Sequence, residues 1–148
     1  MPVTATPVFP QTPYSISVGL TAQTACTTRA PTATASLAAA NIIQFVPTST
    51  NGTRIDYIKV YAASSSISSA TVANLVQIWN WDGTTAYLTD EIPVSAVTPS
   101  TTAAGFNTFY AYANGLYLPA ANRLYVSVTV TTSAATTALS ATAFGALL

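Results

Sequence analysis

Histidine is absent from this 148-residue chain, and its charged side chains are four basic and four acidic. Without histidine there is no Ser–His or Cys–His nucleophile, and the commonest general base and metal ligand are missing. The four carboxylates, Asp56, Asp82, Asp90 and Glu91, are a poor basis for acid/base work. Asp82 belongs to a turn, and a strand points the neighbours Asp90 and Glu91 to opposite faces. Cys26 is the single cysteine, which rules out an intrachain disulfide framework and a multi-thiolate metal site. Glycine-rich phosphate loops, zinc spacings and calcium loops are all missing. The expectation is a protein that is not an enzyme and binds no cofactor or metal.

Charge of one sign is lacking as well. A net charge of zero offers no field to attract nucleic acid or anionic membranes. The stretch MPVTATPVFPQTPYSI has four prolines and no Lys or Arg, so it resembles neither a signal peptide nor a spanning helix. The charge-free stretch from Leu124 to Leu148 is interrupted by TTSAATT, too polar for the ~20 apolar residues of a membrane span. No partnership with nucleic acid or membrane is expected.

What is present is alternation. Ala, Thr and Ser approach half of the chain, and apolar residues occur every second position. In YSISVGL, Tyr14, Ile16, Val18 and Leu20 alternate with small residues; in RLYVSVTVT, Leu124, Val126, Val128 and Val130 alternate with Tyr125, Ser127 and Thr129. Further strands are predicted near 41–46, 54–62, 74–81, 84–92, 106–112 and 115–118, with a last one inside 137–146. Asp82–Gly83 reads as a two-residue hairpin loop with positive φ angles, and Asn51–Gly52 and Asn114–Gly115 as further turns. A single helical turn is conceivable only at SLAAAN, 36–41, capped by Ser36. Eight or nine short strands without βα alternation predict an all-β fold, an antiparallel β-sandwich of which a jelly roll is one form. Residues 1–13 form an extended Pro-rich arm in this reading, and 14–148 a single domain.

Parity then sorts the side chains. Val76 and Ile78 oppose Trp79 and Trp81, Leu88 and Ile92 oppose Tyr87, and the aliphatics of 124–130 oppose Tyr125. In NGTRIDYIKVYAA, Ile58 and Val60 oppose Lys59 and Tyr61, but Ile55 has the wrong parity unless a β-bulge lies near Tyr57. The aromatics Tyr61, Trp79, Trp81, Tyr87 and Tyr125 are therefore the candidate interface residues, on outer faces or strand ends, because rings with a polar tip are enriched at interfaces. Arg54 or Lys59 is expected to pair with Asp56 or Asp90 across strands.

The segments NGTRIDYIKVYAA, LVQIWNWDGTTAYLTDEIPV and GLYLPAANRLYVSVTV resemble the small β-sandwich virion proteins of tailed bacteriophages, over about residues 50–131. The shared pattern is an R-I-x-x-I-x-V strand, an aromatic before D-G in a hairpin, and an L-x-L-P-A-x-x-x-L-x-V strand pair. The resemblance implies a structural virion protein of the capsid decoration or cement type, a homotrimer on the capsid surface whose partner is the phage major capsid protein. The Pro-rich arm and the Ala/Thr-rich stretch before residue 41 depart from the pattern. A second reading, a tail, fibre or baseplate module binding host glycans, would use Trp79 and Trp81 as an exposed sugar platform.

Overall fold

Period-two alternation builds antiparallel strands throughout the computed structural model, which describes residues 12–33 and 41–148. They are β1 (Thr12–Leu20), β2 (Thr32–Ala33), β3 (Ile42–Val46), β4 (Thr53–Ala62), β5 (Asn74–Trp81), β6 (Thr85–Val94), β7 (Asn107–Leu118), β8 (Arg123–Val128) and β9 (Leu139–Leu147). One sheet has the order β1-β9-β4-β7, the other β2-β6-β5-β8-β3. Leaving aside the two-residue β2, every link between successive strands passes from one sheet to the other, except the β5–β6 hairpin. The expected antiparallel sandwich is the fold.

The core fills the space between the sheets. Ile55, Ile58, Val60, Val76, Ile78, Ile92, Leu124, Val126 and Val128 are buried in one cluster with Phe45, Leu118 and Leu139, and Tyr14, Ile16 and Val18 pack against it. Burying each such aliphatic side chain contributes roughly 1.5–3 kcal/mol. Small residues complete the layer: Ala141 and Ala143 of β9 are fully buried, which lets that central strand sit close to the opposite sheet.

The parity problem in β4 is solved by the expected bulge. Ile55 pairs with Gly145 and Tyr57 with Phe144, leaving Asp56 without a partner and turning both Ile55 and Ile58 inward. Gly145 is required here, since a Cβ on it would lie 1.8 Å from the Arg54 carbonyl oxygen. Facing the same bulge, β7 pairs Ala111 with Tyr57 and Leu116 with Ile55, so 112–115 form an excursion inside one strand, not a turn between two.

A second register shift corrects the sequence reading of β6. Ile78 pairs with Asp90 and Trp79 with Leu88, so Thr89 is skipped. Leu88 and Ile92 consequently lie on different faces: Ile92 joins the main core, and Leu88 packs with Trp79 and Trp81. The β5–β6 loop is 82–84, one residue longer than expected, and among the described residues only glycines have positive φ. Gly83 supplies φ 106° there, while the Asp82 carboxylate accepts the Thr84 and Thr85 amides at 2.8 Å each. Those amides hold the Asp82 carboxyl below its ordinary pKa.

The arm expected over 1–13 overlaps β1 at Thr12 and Pro13; residues 1–11 lie outside the described residues, as do positions 36–40 of the expected helical turn.

Candidate functional site

The outer faces of the two sheets are built from the same strand alternation but end up differently. Over the five-stranded sheet runs the segment 23–30, tied down by Cys26 N–H to the Val128 carbonyl at 2.7 Å and by the Thr132 amide to the Gln23 carbonyl at 2.9 Å. The Gln23 amide in turn donates to Thr132 Oγ1 at 2.9 Å. Cys26 of this strap forms a second buried cluster with Ile42, Trp79, Trp81 and Ala86, with Leu88 and Tyr125 against it.

A chain of polar groups fixes the strap. Trp79 Nε1 donates to Ser127 Oγ, which donates to Gln77 Oε1, both at 2.9 Å. Gln77 Nε2 donates to Glu91 Oε1 at 3.1 Å and to the strap carbonyl of Thr28 at 3.3 Å. Arg29 of the strap reaches Glu91 at 2.9 Å. Every polar atom that Trp79 and Gln77 bury therefore has a partner, which spares the sheet the cost of orphaned donors. The Gln77 amide, and then Arg29, hold the Glu91 carboxyl below its ordinary pKa.

Among the five sequence-predicted interface residues, three thus lie in or against the second buried cluster. Trp79 is fully buried and Trp81 is 9% exposed, with the Arg123 guanidinium 4.1 Å above its ring centroid and Tyr125 edge-on at 6.3 Å. Parity placed these rings correctly, on the face opposite the aliphatic core. It did not foresee that they would be packed away with Cys26 of a low-complexity segment, and neither tryptophan is available as an exposed stacking platform. Tyr87, 46% exposed, lies on β6 near the hairpin, and Tyr61 is half-buried on the other sheet. The structure does not bring those two together.

The four-stranded sheet keeps an open outer face, and here lies the candidate site. Tyr57 of β4 stacks on Phe144 of β9 with centroids 4.6 Å apart, and Phe109 of β7 stands 5.9 Å from Tyr57. The Lys59 ammonium lies 5.4 Å from the ring centroids of both Tyr61 and Phe109, a cation held over two π faces. Phe109 is 59% and Tyr117 57% exposed. Sequence reasoning missed Tyr57, Phe109, Tyr117 and Phe144. The signal was there for Phe144, which alternates with Ala141 and Ala143, and for Tyr57, once the bulge had set its parity equal to that of Lys59 and Tyr61.

Charge on this face is self-contained. Arg54 Nε lies 2.8 Å from Asp56 Oδ1, and Arg54 Nη2 donates to Oδ2 at 3.1 Å. The pair spans the bulge within one strand, in place of the cross-strand pairing expected from sequence. Among the described residues Asp90 makes no ion pair: it points between the sheets and accepts the Tyr110 hydroxyl at 2.5 Å and the Tyr112 hydroxyl at 2.9 Å. At the β1 side of the face, Pro13, Tyr14, Ser15, Asp56, Tyr57, Phe144 and Gly145 line a shallow groove of about 340 Å³.

Among the described residues no group of three or more His, Cys, Asp or Glu side chains could hold a metal ion. The chain matches no protein-family model and no curated protein.

Proposed function

We propose that this protein is a non-enzymatic structural component of a virion, a capsid decoration or cement protein of a tailed bacteriophage that stabilises the coat shell by binding the major capsid protein. The open aromatic face of the four-stranded sheet carries the reading. Tyr57, Tyr61, Phe109, Tyr117 and Phe144 present large, partly apolar surfaces, and the charges among them are already paired or lie over rings. Such a face suits permanent burial against a protein neighbour, with aromatic anchors contributing most of the affinity.

The strand order supports the finer reading of the sandwich. With β2 set aside, β1-β9-β4-β7 faces β6-β5-β8-β3, the order expected of an eight-stranded jelly roll, an architecture used by viral capsid domains. The mechanism is mass action: each copy bound to the assembled shell, and not to free coat subunits, lowers the free energy of the assembled state. A contact of about 1,200–2,000 Å² per copy is enough for a specific complex. Trimeric assembly on the capsid surface belongs to the same proposal.

The test is to strip the protein from particles and measure the temperature at which they release their contents. Rupture should occur at lower temperature, wild-type protein should restore it, and a Phe109→Ser, Tyr61→Ser double variant should not. Stripped particles as robust as intact ones would remove the basis for a cement role.

A further inference from the structure

The groove at the β1 side of the aromatic face has a specific occupant available within the sequence. Its floor is the stacked pair Tyr57 and Phe144, and Pro13 and Ser15 form one wall. Aromatic-floored grooves are the recognised docking surface for Pro-rich extended chain, because such chain is already stretched and loses little entropy on binding. Residues 1–11, MPVTATPVFPQ, have Pro2, Pro7 and Pro10 around Val8 and Phe9 and contain no charged side chain. The groove's one carboxylate, Asp56, is already neutralised by Arg54, so an uncharged segment meets no unpaired charge there.

We infer that the Tyr57–Phe144 groove of one copy receives residues 1–11 of a second copy. The geometry at Thr12 favours exchange over self-docking. Thr12 precedes Pro13, which restricts it to extended backbone, and it pairs with Leu147 at the end of the β1–β9 ladder. Thr12 ends the ladder, and Pro13 and Ser15 of the groove lining follow it in the chain, so a segment that continued the line of β1 would run away from this groove. To fill its own groove the segment would have to reverse direction within the few residues before Thr12. In polyproline-type extension eleven residues would reach roughly 34 Å at about 3.1 Å each, the scale of a neighbouring small domain. The contact is heterologous, arm to groove, and a closed ring results where the rotation between copies closes. This inference does not depend on the shell assignment, because it needs only the chain itself.

The test uses full-length chains and light scattering. A Val8→Ser, Phe9→Ser variant lacks a competent arm, and a Tyr57→Ser, Phe144→Ser variant lacks a competent groove. A thermal melt checks that both variants are folded. Wild type should be oligomeric, and each variant alone should fall to the single-chain mass of 15.3 kDa. Their equimolar mixture should double that mass, since one intact arm then meets one intact groove. Three outcomes overturn the inference: a monomeric wild type, an arm variant as oligomeric as wild type, which would point to pairing through another surface such as the β1 edge, or a mixture that stays monomeric. A monomeric wild type would also remove the trimeric form of the shell proposal, but none of these outcomes would alter the particle-rupture result, so the cement role and the arm exchange fail separately.

Discussion

Tyr112 of β7 donates its hydroxyl to Asp90 of β6 at 2.9 Å, and this bond joins the two sheets of the sandwich. Tyr110 donates to the other oxygen of the same carboxylate, so one buried-facing charge is satisfied from the opposite layer by two phenols. The arrangement keeps an acidic side chain on an inward position without any cation.

The clamp has a pH signature. Burial, and then the neighbouring Asp90 charge, push the Tyr112 hydroxyl well above the ordinary tyrosine value of 10.0. Because the folded pKa is raised, the stabilisation is complete below the unfolded value and is lost as pH rises above it, when the unfolded chain ionises and the folded one resists. Urea midpoints should therefore begin to fall near pH 10, the unperturbed tyrosine value, and keep falling as pH rises above it. Tyr112→Phe should cost about 1.5–3 kcal/mol at neutral pH, the scale of a hydrogen bond to a charged group, and flatten the alkaline decline. An unchanged alkaline slope in that variant would assign the decline to other tyrosines.

At the acid end the strap should respond first. Glu91 is held low by Gln77 and Arg29, so its contribution is present above the unfolded value of 4.5 and disappears as pH falls through the lower folded one. Protonation there costs the strap its ion pair with Arg29 and weakens the amide bond from Gln77. Both tryptophans are buried in the cluster that includes Cys26 of the strap, so their fluorescence should be blue-shifted and poorly quenched by acrylamide at neutral pH. Quenching should rise on acidification before the sandwich unfolds. Glu91→Gln should show raised quenching already at neutral pH, with little further change in acid.

Much of this architecture is legible in the sequence because a sheet has an exact period of two. The inward aliphatics of β1, β5 and β8 follow from alternation, and the misfit of Ile55 against Ile58 locates a bulge before any coordinates exist. Where a residue is skipped on a strand whose own pattern is ambiguous, alternation fails, as at Thr89, and Leu88 is sent to the wrong face. The strap was illegible for a different reason. Residues 23–30 have no periodicity, and their attachment depends on long-range amide bonds to Val128 and Thr132 that composition does not encode. Hence the tryptophans were placed on the correct face and given the wrong exposure, while the open aromatic face across the sandwich was only half seen, through Tyr61.

Gly145 offers a sharp test of the bulge. The extra residue at Asp56 brings the Arg54 carbonyl against β9, where a methyl group would find backbone and no movable side chain. Gly145→Ala should therefore destabilise by about 3 kcal/mol or more, at or above the upper end of overpacking costs. Deleting Asp56 alongside Gly145→Ala would remove the crowding but reverse the parity of β4, and should not restore stability. Calorimetric melts of the single variant would settle the first point; a shift of only a degree or two would mean that the strands separate easily at this position.

Docking through the aromatic face should be insensitive to salt. At about 1 M ionic strength the screening length falls to about 3 Å, which abolishes attraction between separated charges and leaves apolar burial intact. On this face Arg54 and Asp56 neutralise each other, and Lys59 lies over Tyr61 and Phe109, so no unpaired carboxylate or guanidinium projects toward a partner. The amount of protein retained on particles pelleted from high salt should therefore equal that at low salt. Phe109→Ser should reduce retention by tenfold or more, the equivalent of about 1.4 kcal/mol or above. Lys59→Gln should change it less, since removing the cation leaves the rings that form most of the surface. Release of the wild-type protein by salt alone would mean that charge, and not the ring cluster, carries the proposed attachment.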